Sequence, residues 1–260
     1  MIIQSAQNAK IQRVRTLLTR HKDRIQQGCF VLEGTRLIEE AMFTGARPQL
    51  LLYSSDSPRT LAVVEKAHSS GAEIDEVKPS ILESVSDTQT SQGLVGIFPI
   101  PALPEPDPLD FLLILDGISD PGNLGTILRS AAAAGVQMVV LTPGSADPFA
   151  PKVVRSAMGA HFYLPLRIYQ WDELAALKQK RAAGMRFLAS EMIGGKSCWA
   201  SDLRQPVGLI IGSEAAGISN QAREQADDFI RIPMQGKIES LNASTAASIL
   251  IFEVIRQRTT

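Results

Sequence analysis

Three stretches of this 260-residue chain place glycines and short polar side chains where apolar runs end. The first is DGISDPGNLGTILRS, residues 116–130. Asp116 closes an apolar run, Asp120 and Pro121 suit a turn, and Gly122 permits positive φ. Asn123 is the expected helix N-cap, and the free amides of such a helix start suit a phosphate. Leu124, Ile127, Leu128 and Ala131 repeat at helical spacing and form the expected buried face, which leaves Arg129 free toward a cleft or solvent. The second stretch is LIIGSEAAGIS, residues 209–219, where Gly212 allows a ligand close to the backbone and Gly217 allows a second bend. Glu214 there can accept hydrogen bonds from a ribose or an amine, or cap the next helix. The third is IRIPMQGKIESLNASTAAS, residues 230–248. Ser240, Asn242, Ser244 and Thr245 crowd the start of its helix, more hydrogen-bonding side chains than one cap requires.

These residue types recognise phosphates and hydroxyls, and other chemistries lack their parts. No G-x-G-x-x-G follows a strand and no G-x-x-x-x-G-K-[ST] occurs, which excludes nicotinamide-dependent dehydrogenases and P-loop hydrolases. The Gly-Ser-Glu turn lacks the spacing of a nucleophile elbow. His21, His68 and His161 are scattered, so neither a Ser-His-Asp triad nor a metal site is expected.

The elements that position these turns alternate. FLLILD is a continuous apolar run suited to a strand buried on both faces, and VQMVVLT, RFLAS, VGLIIGSE and FIRIPM supply further strands. Helices are expected over LGTILRSAAAA, PKVVRSAMGA, DELAALKQKRAA and the final SLNASTAASILIFEVIRQR, with HFYLPLRI strand-like. Such alternation implies a mostly parallel sheet covered on both faces, with ligands collecting at the carboxyl ends of its strands. Upstream, a helix over 6–20, a strand at 30–32, a helix over 35–43 and further strands at QLLLYSS, 74–77 and GLVGIF, with a helix at TLAVVEKAHSS, describe a smaller α/β domain. Between the two, PIPALPEPDP holds five of the fifteen prolines and reads as a linker. The expected division is 1–98, linker 99–108, and 109–260.

Lys and Arg total 26 against 27 acids, so any polyanion site must be a local patch. One such patch is expected between residues 1 and 30, where Lys10, Arg13, Arg15, Arg20, Lys22 and Arg24 face a single acid, Asp23. Cys29 and Cys198 have no partners at ligand spacing and read as buried thiols of a reducing compartment. With neither an apolar run of membrane-spanning length nor a signal-peptide pattern at residues 1–15, a cytoplasmic protein is expected.

In order, spacing and extent, DGISDPGNLGTILRSAAAAG, IGSEAAGIS and IPMQGKIESLNASTAASILIFEVIRQ resemble the three motifs of the SpoU-type (TrmH-like) RNA 2′-O-ribose methyltransferases of the SPOUT superfamily. FVLEGTRLIEEA resembles the small ribosomal-protein-like RNA-binding domain that many members carry. One departure is Ala215-Ala216, where glycine and a charged residue are common. The resemblance implies a trefoil-knotted parallel-sheet α/β domain that binds S-adenosylmethionine at the knot, in a homodimer. It implies cofactor contacts from Gly212, Ile232 and Leu241, with Thr142 a neighbour. Around the reacting ribose it implies Asn123, Arg129, Glu214, Ser240 and Asn242, and it makes Lys10, Arg13 and Arg15 the expected RNA contacts. The family is thought to remove the ribose proton with the residue matching Arg129. A guanidinium stays protonated to above about pH 12, so the expected role is to hold a phosphate and the developing oxyanion. Ribosomal RNA is the first expected substrate and transfer RNA the second, and a resistance-type enzyme has the same architecture. A non-catalytic RNA-binding assembly factor is the reading of another class, although such a relative should have lost Arg129 or Asn242.

Overall fold

A computed structural model describes residues 2–86, 92–181, 184–236 and 240–259. In order, its helices and strands are α1 (Ala9–Thr19), α2 (His21–Gln27), β1 (Cys29–Glu33), α3 (Thr35–Phe43), β2 (Leu50–Tyr53), α4 (Pro58–Ser69), β3 (Glu73–Glu76), α5 (Pro79–Glu83) and β4 (Leu94–Pro99). These are followed by β5 (Phe111–Asp116), α6 (Pro121–Ala133), β6 (Met138–Leu141), α7 (Pro151–Ala157), β7 (Leu166–Ile168), α8 (Trp171–Arg181) and β8 (Arg186–Ser190). Last come β9 (Lys196–Ser197), β10 (Val207–Gly212), α9 (Asn220–Gln225), β11 (Asp228–Arg231) and α10 (Ala243–Thr259). The chain divides into two units, Met1–Ala102 with Asp147–Phe162, and Leu103–Ala146 with Tyr163–Thr260. The segment 147–162, which lies beyond the proline-rich stretch in sequence, thus packs with the first unit.

The first unit is built on a mixed four-stranded sheet of order β1-β4-β2-β3. Ile11, Val14 and Leu17 of α1 cover one face, against Val31, Leu52 and Ile97. Ile38 and Ala41 of α3 and Val63 and Ala67 of α4 cover the other, joined by Val154 and Phe162. His161 is enclosed here against Phe30 and Phe149, and its Nε2 meets the Pro148 carbonyl oxygen at 2.7 Å. Burial lowers its pKa to about 4. A buried histidine held neutral stabilises the fold fully above its unfolded pKa near 6.5, and that contribution is lost as pH falls toward about 4. The stability lost to this group over that window is expected to reach about 3 kcal/mol. Denaturant titrations from pH 7 to 4 should show a shallower fall in stability for His161→Gln than for the parent.

The second unit carries a seven-stranded sheet of order β7-β6-β5-β10-β8-β11-β9. All its pairings are parallel, as the alternation of strands and helices predicts. FLLILD forms β5, with all six residues buried. Trp171 and Leu174 of α8 and Ala222 of α9 cover one face of the sheet, over Leu112, Ile114, Val140, Phe187 and Ile210. Elsewhere α10 packs on β10 and α6, where the Ser130 and Ser248 hydroxyls meet at 2.8 Å. The β5/β10 register sets Asp116 beside Gly212 at the carboxyl edge of the sheet. That pairing brings the first two polar turns together.

Candidate active site

The α6 N-cap is Asp120, not Asn123: Asp120 Oδ1 accepts from the Asn123 amide at 2.7 Å and Pro121 occupies the first helical turn. Gly122 lies inside the helix, and positive φ falls instead on Gly117, at 66°. A carboxylate therefore already accepts from one of the amides expected to hold a phosphate, and the Asn123 side chain is released for other work. The buried face of α6 is the one predicted, Leu124, Ile127, Leu128 and Ala131.

Asn242 caps α10. Its Oδ1 accepts from the amides of Ser244 (2.9 Å) and Thr245 (3.2 Å) and from the Ser244 hydroxyl (2.6 Å). Its amide nitrogen is thereby aimed outward, donating to Glu214 Oε1 at 2.5 Å and to Asn123 Oδ1 at 2.9 Å. Asn123 Nδ2 donates to the same Glu214 oxygen at 2.9 Å, and the Ala243 amide does so at 3.0 Å. Three residues drawn from the three polar turns thus close a ring of hydrogen bonds. Each partner fixes the rotamers of the other two, which preorganises a polar surface.

The Glu214 turn is tight for a reason internal to the chain. Ser213 and Gly217 exchange backbone hydrogen bonds, N–H to O, at 3.0 and 2.9 Å. A Cβ on Gly212 would lie 2.3 Å from the carbonyl carbon and oxygen of Gly217. Glycine is needed here because the chain returns over it. Asp116 anchors the end of the same turn. It is 6% exposed, and its Oδ2 accepts from the Ser219 amide (2.6 Å) while Oδ1 accepts from the Thr142 hydroxyl (3.0 Å).

Two concavities adjoin this ring. A cavity of about 410 Å³ is lined by Gly212, Glu214, Ile232, Ser240 and Leu241, with Ile211 and Ile218 adding apolar wall. A cleft of about 120 Å³ is lined by Asn123, Glu214, Ser119 and Ala243. Glu214 and Ala243 belong to both. Two predicted residues stand apart. Thr142 is 2% exposed, committed to Asp116, and not on either wall. Arg129 is on the exposed side of α6, outside both concavities, with no ion-pair partner among the described residues. Sequence reading missed Asp116 as a positioning residue, although an acid ending a wholly apolar strand is the signal for one.

The basic N-terminal run is smaller than its composition suggests. Lys10 is paired with Glu73 and Asp75. Arg24 is 4% exposed, with Nε and Nη2 on Asp147 and Nη1 on the Leu17 carbonyl. Arg13 has neutral partners, the amide oxygens of Gln27 (2.9 Å) and Gln49 (2.7 Å) and the Cys29 sulfur (4.0 Å), and Arg15 is half-buried. Cys29 and Cys198 are free and buried, and burial pushes the Cys198 thiol up to about 11, away from thiolate chemistry. Among the described residues no cluster of His, Cys, Asp and Glu could hold a metal, and no helix is long and apolar enough to cross a membrane.

The SpoU rRNA methylase family model matches residues 110–252, and the MRM3-like substrate-binding domain model matches residues 8–96. The 23S rRNA (guanosine(2553)-2′-O)-methyltransferase RlmP of Bacillus subtilis is 31% identical, over 97% of this chain and 98% of its own. Among solved structures, an AdoMet-bound rRNA methyltransferase from Sinorhizobium meliloti superposes with a TM-score of 0.88 at 30% identity, covering 98% of this chain and 97% of that one. The SpoU methyltransferase AviRb from Streptomyces viridochromogenes, in complex with AdoMet, gives 0.85 at 31% identity, covering 97% and 99%. With the ring of Asn123, Glu214 and Asn242 assembled from the three motifs and a family model spanning more than half its length, the chain belongs to the SpoU rRNA methylase family.

Proposed function

We propose that this protein transfers a methyl group from S-adenosylmethionine to a ribose 2′-hydroxyl in ribosomal RNA. The observation that carries this reading is the shared wall: Glu214 and Ala243 separate a largely apolar cavity of nucleoside-binding size from a polar cleft. The residues present fit the cofactor. Ile211, Ile218, Ile232 and Leu241 offer apolar wall to a base, and Glu214 offers a polar edge. Bound S-adenosylmethionine supplies an electrophilic methyl carried on sulfur. The chain's own part is orientation. Asn123, locked through Asn242 and Glu214, has one amide N–H left for a ribose docked in the cleft it lines, and Ser240 stands at the cavity edge. Arg129, six residues past Asn123 and about 9 Å further along α6, would hold the neighbouring phosphate and the developing oxyanion. The trefoil knot and the homodimer implied by the motifs belong to this reading, and sedimentation of the purified protein tests the dimer.

The decisive experiment incubates the protein with labelled S-adenosylmethionine and unmodified ribosomal or transfer RNA, then maps ribose methylation. Label in an alkali-resistant dinucleotide from ribosomal RNA is the expected result. Label only in transfer RNA would redirect the substrate, and none in either would sink the reading.

The first unit would bind the RNA backbone through Arg13 and Arg15. Each phosphate left without its cation should reduce the slope of log affinity against log salt by about 0.7–0.9. Arg13→Ala/Arg15→Ala is expected to flatten that slope by about 1.5, whereas Lys10→Ala, its charge already met by Glu73 and Asp75, should change it little. Filter binding from about 50 to 300 mM salt reads both.

A further inference from the structure

The cavity of about 410 Å³ has a second charged feature, built from residues outside the three motifs. Glu191, directly after β8, and Arg223, in α9, both line it and form an ion pair. The Glu191 side chain is only 15% exposed, and its buried Oε1 is the oxygen that meets the Arg223 guanidinium. Glu214, by contrast, is exposed. A carboxylate has more acceptor sites than one guanidinium nitrogen fills, and the occupant of the cavity is the natural source of further donors.

Resting on the methyltransferase function proposed above, we propose that Glu191 is the residue that recognises the ribose hydroxyls of the methyl donor, with Arg223 holding its carboxylate in place. The two ends of the donor differ in what they tolerate. Its amino-acid end carries two charges and is best left near water, at the exposed Glu214 edge by the cleft. Its adenosine end is neutral and suits the apolar wall, provided the two ribose hydroxyls find an acceptor where water is excluded. Glu191 is the buried carboxylate on that wall, and a carboxylate is the group that reads a ribose diol in dinucleotide sites. Ile193 and Met192, which follow it and are themselves on the wall, extend the apolar surface beside it.

The test is calorimetric and needs no turnover. S-adenosylhomocysteine carries both ends, and 5′-methylthioadenosine keeps the ribose but lacks the amino acid. Glu191→Gln is expected to weaken both ligands alike, by about 10- to 100-fold. Unchanged methylthioadenosine affinity overturns the assignment, and a loss confined to S-adenosylhomocysteine would place the charged pair at the amino-acid end instead. The wild-type protein supplies an arm that does not depend on the variant folding: 2′,3′-dideoxy-methylthioadenosine should bind more weakly than its parent by a similar factor, and equal binding overturns the proposal. Failure of the wild type to bind S-adenosylhomocysteine at all would sink the methyl-donor reading itself, whereas binding insensitive to Glu191 sinks this assignment alone.

Discussion

Arg129→Ala is expected to lower the methyl-transfer rate by about 10²- to 10⁴-fold while leaving S-adenosylhomocysteine affinity within about twofold of the parent. The split follows from position. Arg129 lines neither the cavity nor the cleft, so it has no part in holding the donor. Its exposed setting on α6 gives it no structural partner whose loss would unfold the protein, so the melting temperature should move little. What remains is an exposed cation on the helix that carries Asn123, suited to a phosphate and to charge that develops only as the reaction proceeds. Arg129→Lys keeps the charge but loses the planar fork, so it should recover part of the rate. Single-turnover transfer and calorimetry on the same preparations check both halves. Equal losses of rate and donor affinity would instead put Arg129 in the cofactor site, and near-normal turnover would remove it from the chemistry.

The parts of this fold that were legible in sequence are those with a local signal. FLLILD and RFLAS are strands with the predicted bounds, because an apolar run of five or six residues has few alternatives once turns bracket it. The buried face of α6 follows from spacing alone. Short elements escaped: α2 is seven residues, α9 six and β9 two, lengths over which periodicity carries little information. The cap of α6 was misplaced by three residues because Asp120 and Asn123 are both good caps, and only the structure shows which side chain turns back on the helix. Long-range partners were beyond reach. Lys10 finds Asp75 across 65 residues of sequence, Arg24 finds Asp147 across 123, and these pairings remove two cations from a patch that composition counts as free. The site divides in the same way. Its residue types were visible, but the closure of Asn123, Glu214 and Asn242 into one ring spans 119 residues and depends on β5 and β10 being neighbours.

That dependence makes Gly212 the most sensitive backbone position in the site. Gly212→Ala is expected to weaken S-adenosylhomocysteine binding by at least about 100-fold and to lower the melting temperature by several degrees. The added carbon would sit 2.3 Å from the Gly217 carbonyl group and 2.5 Å from the Ile218 nitrogen, all of them backbone atoms that no rotamer change can move aside. Relief requires the 213–217 return to lift, which breaks its two backbone hydrogen bonds and carries Glu214 away from Asn123, Asn242 and the Ala243 amide. Overpacking of this kind costs about 1–3 kcal/mol, and for a protein of this size each kcal/mol is worth about 2–4 °C. Gly217→Ala provides the contrast. Its φ of +68° disfavours a side chain by about 1–2 kcal/mol, but the space around it is open, so the turn should keep its path and most of its ligand affinity. If the two alanine variants bound S-adenosylhomocysteine equally well, the ring of hydrogen bonds would not depend on the close return of the chain over Gly212, and the geometric basis of the site would have to be sought elsewhere.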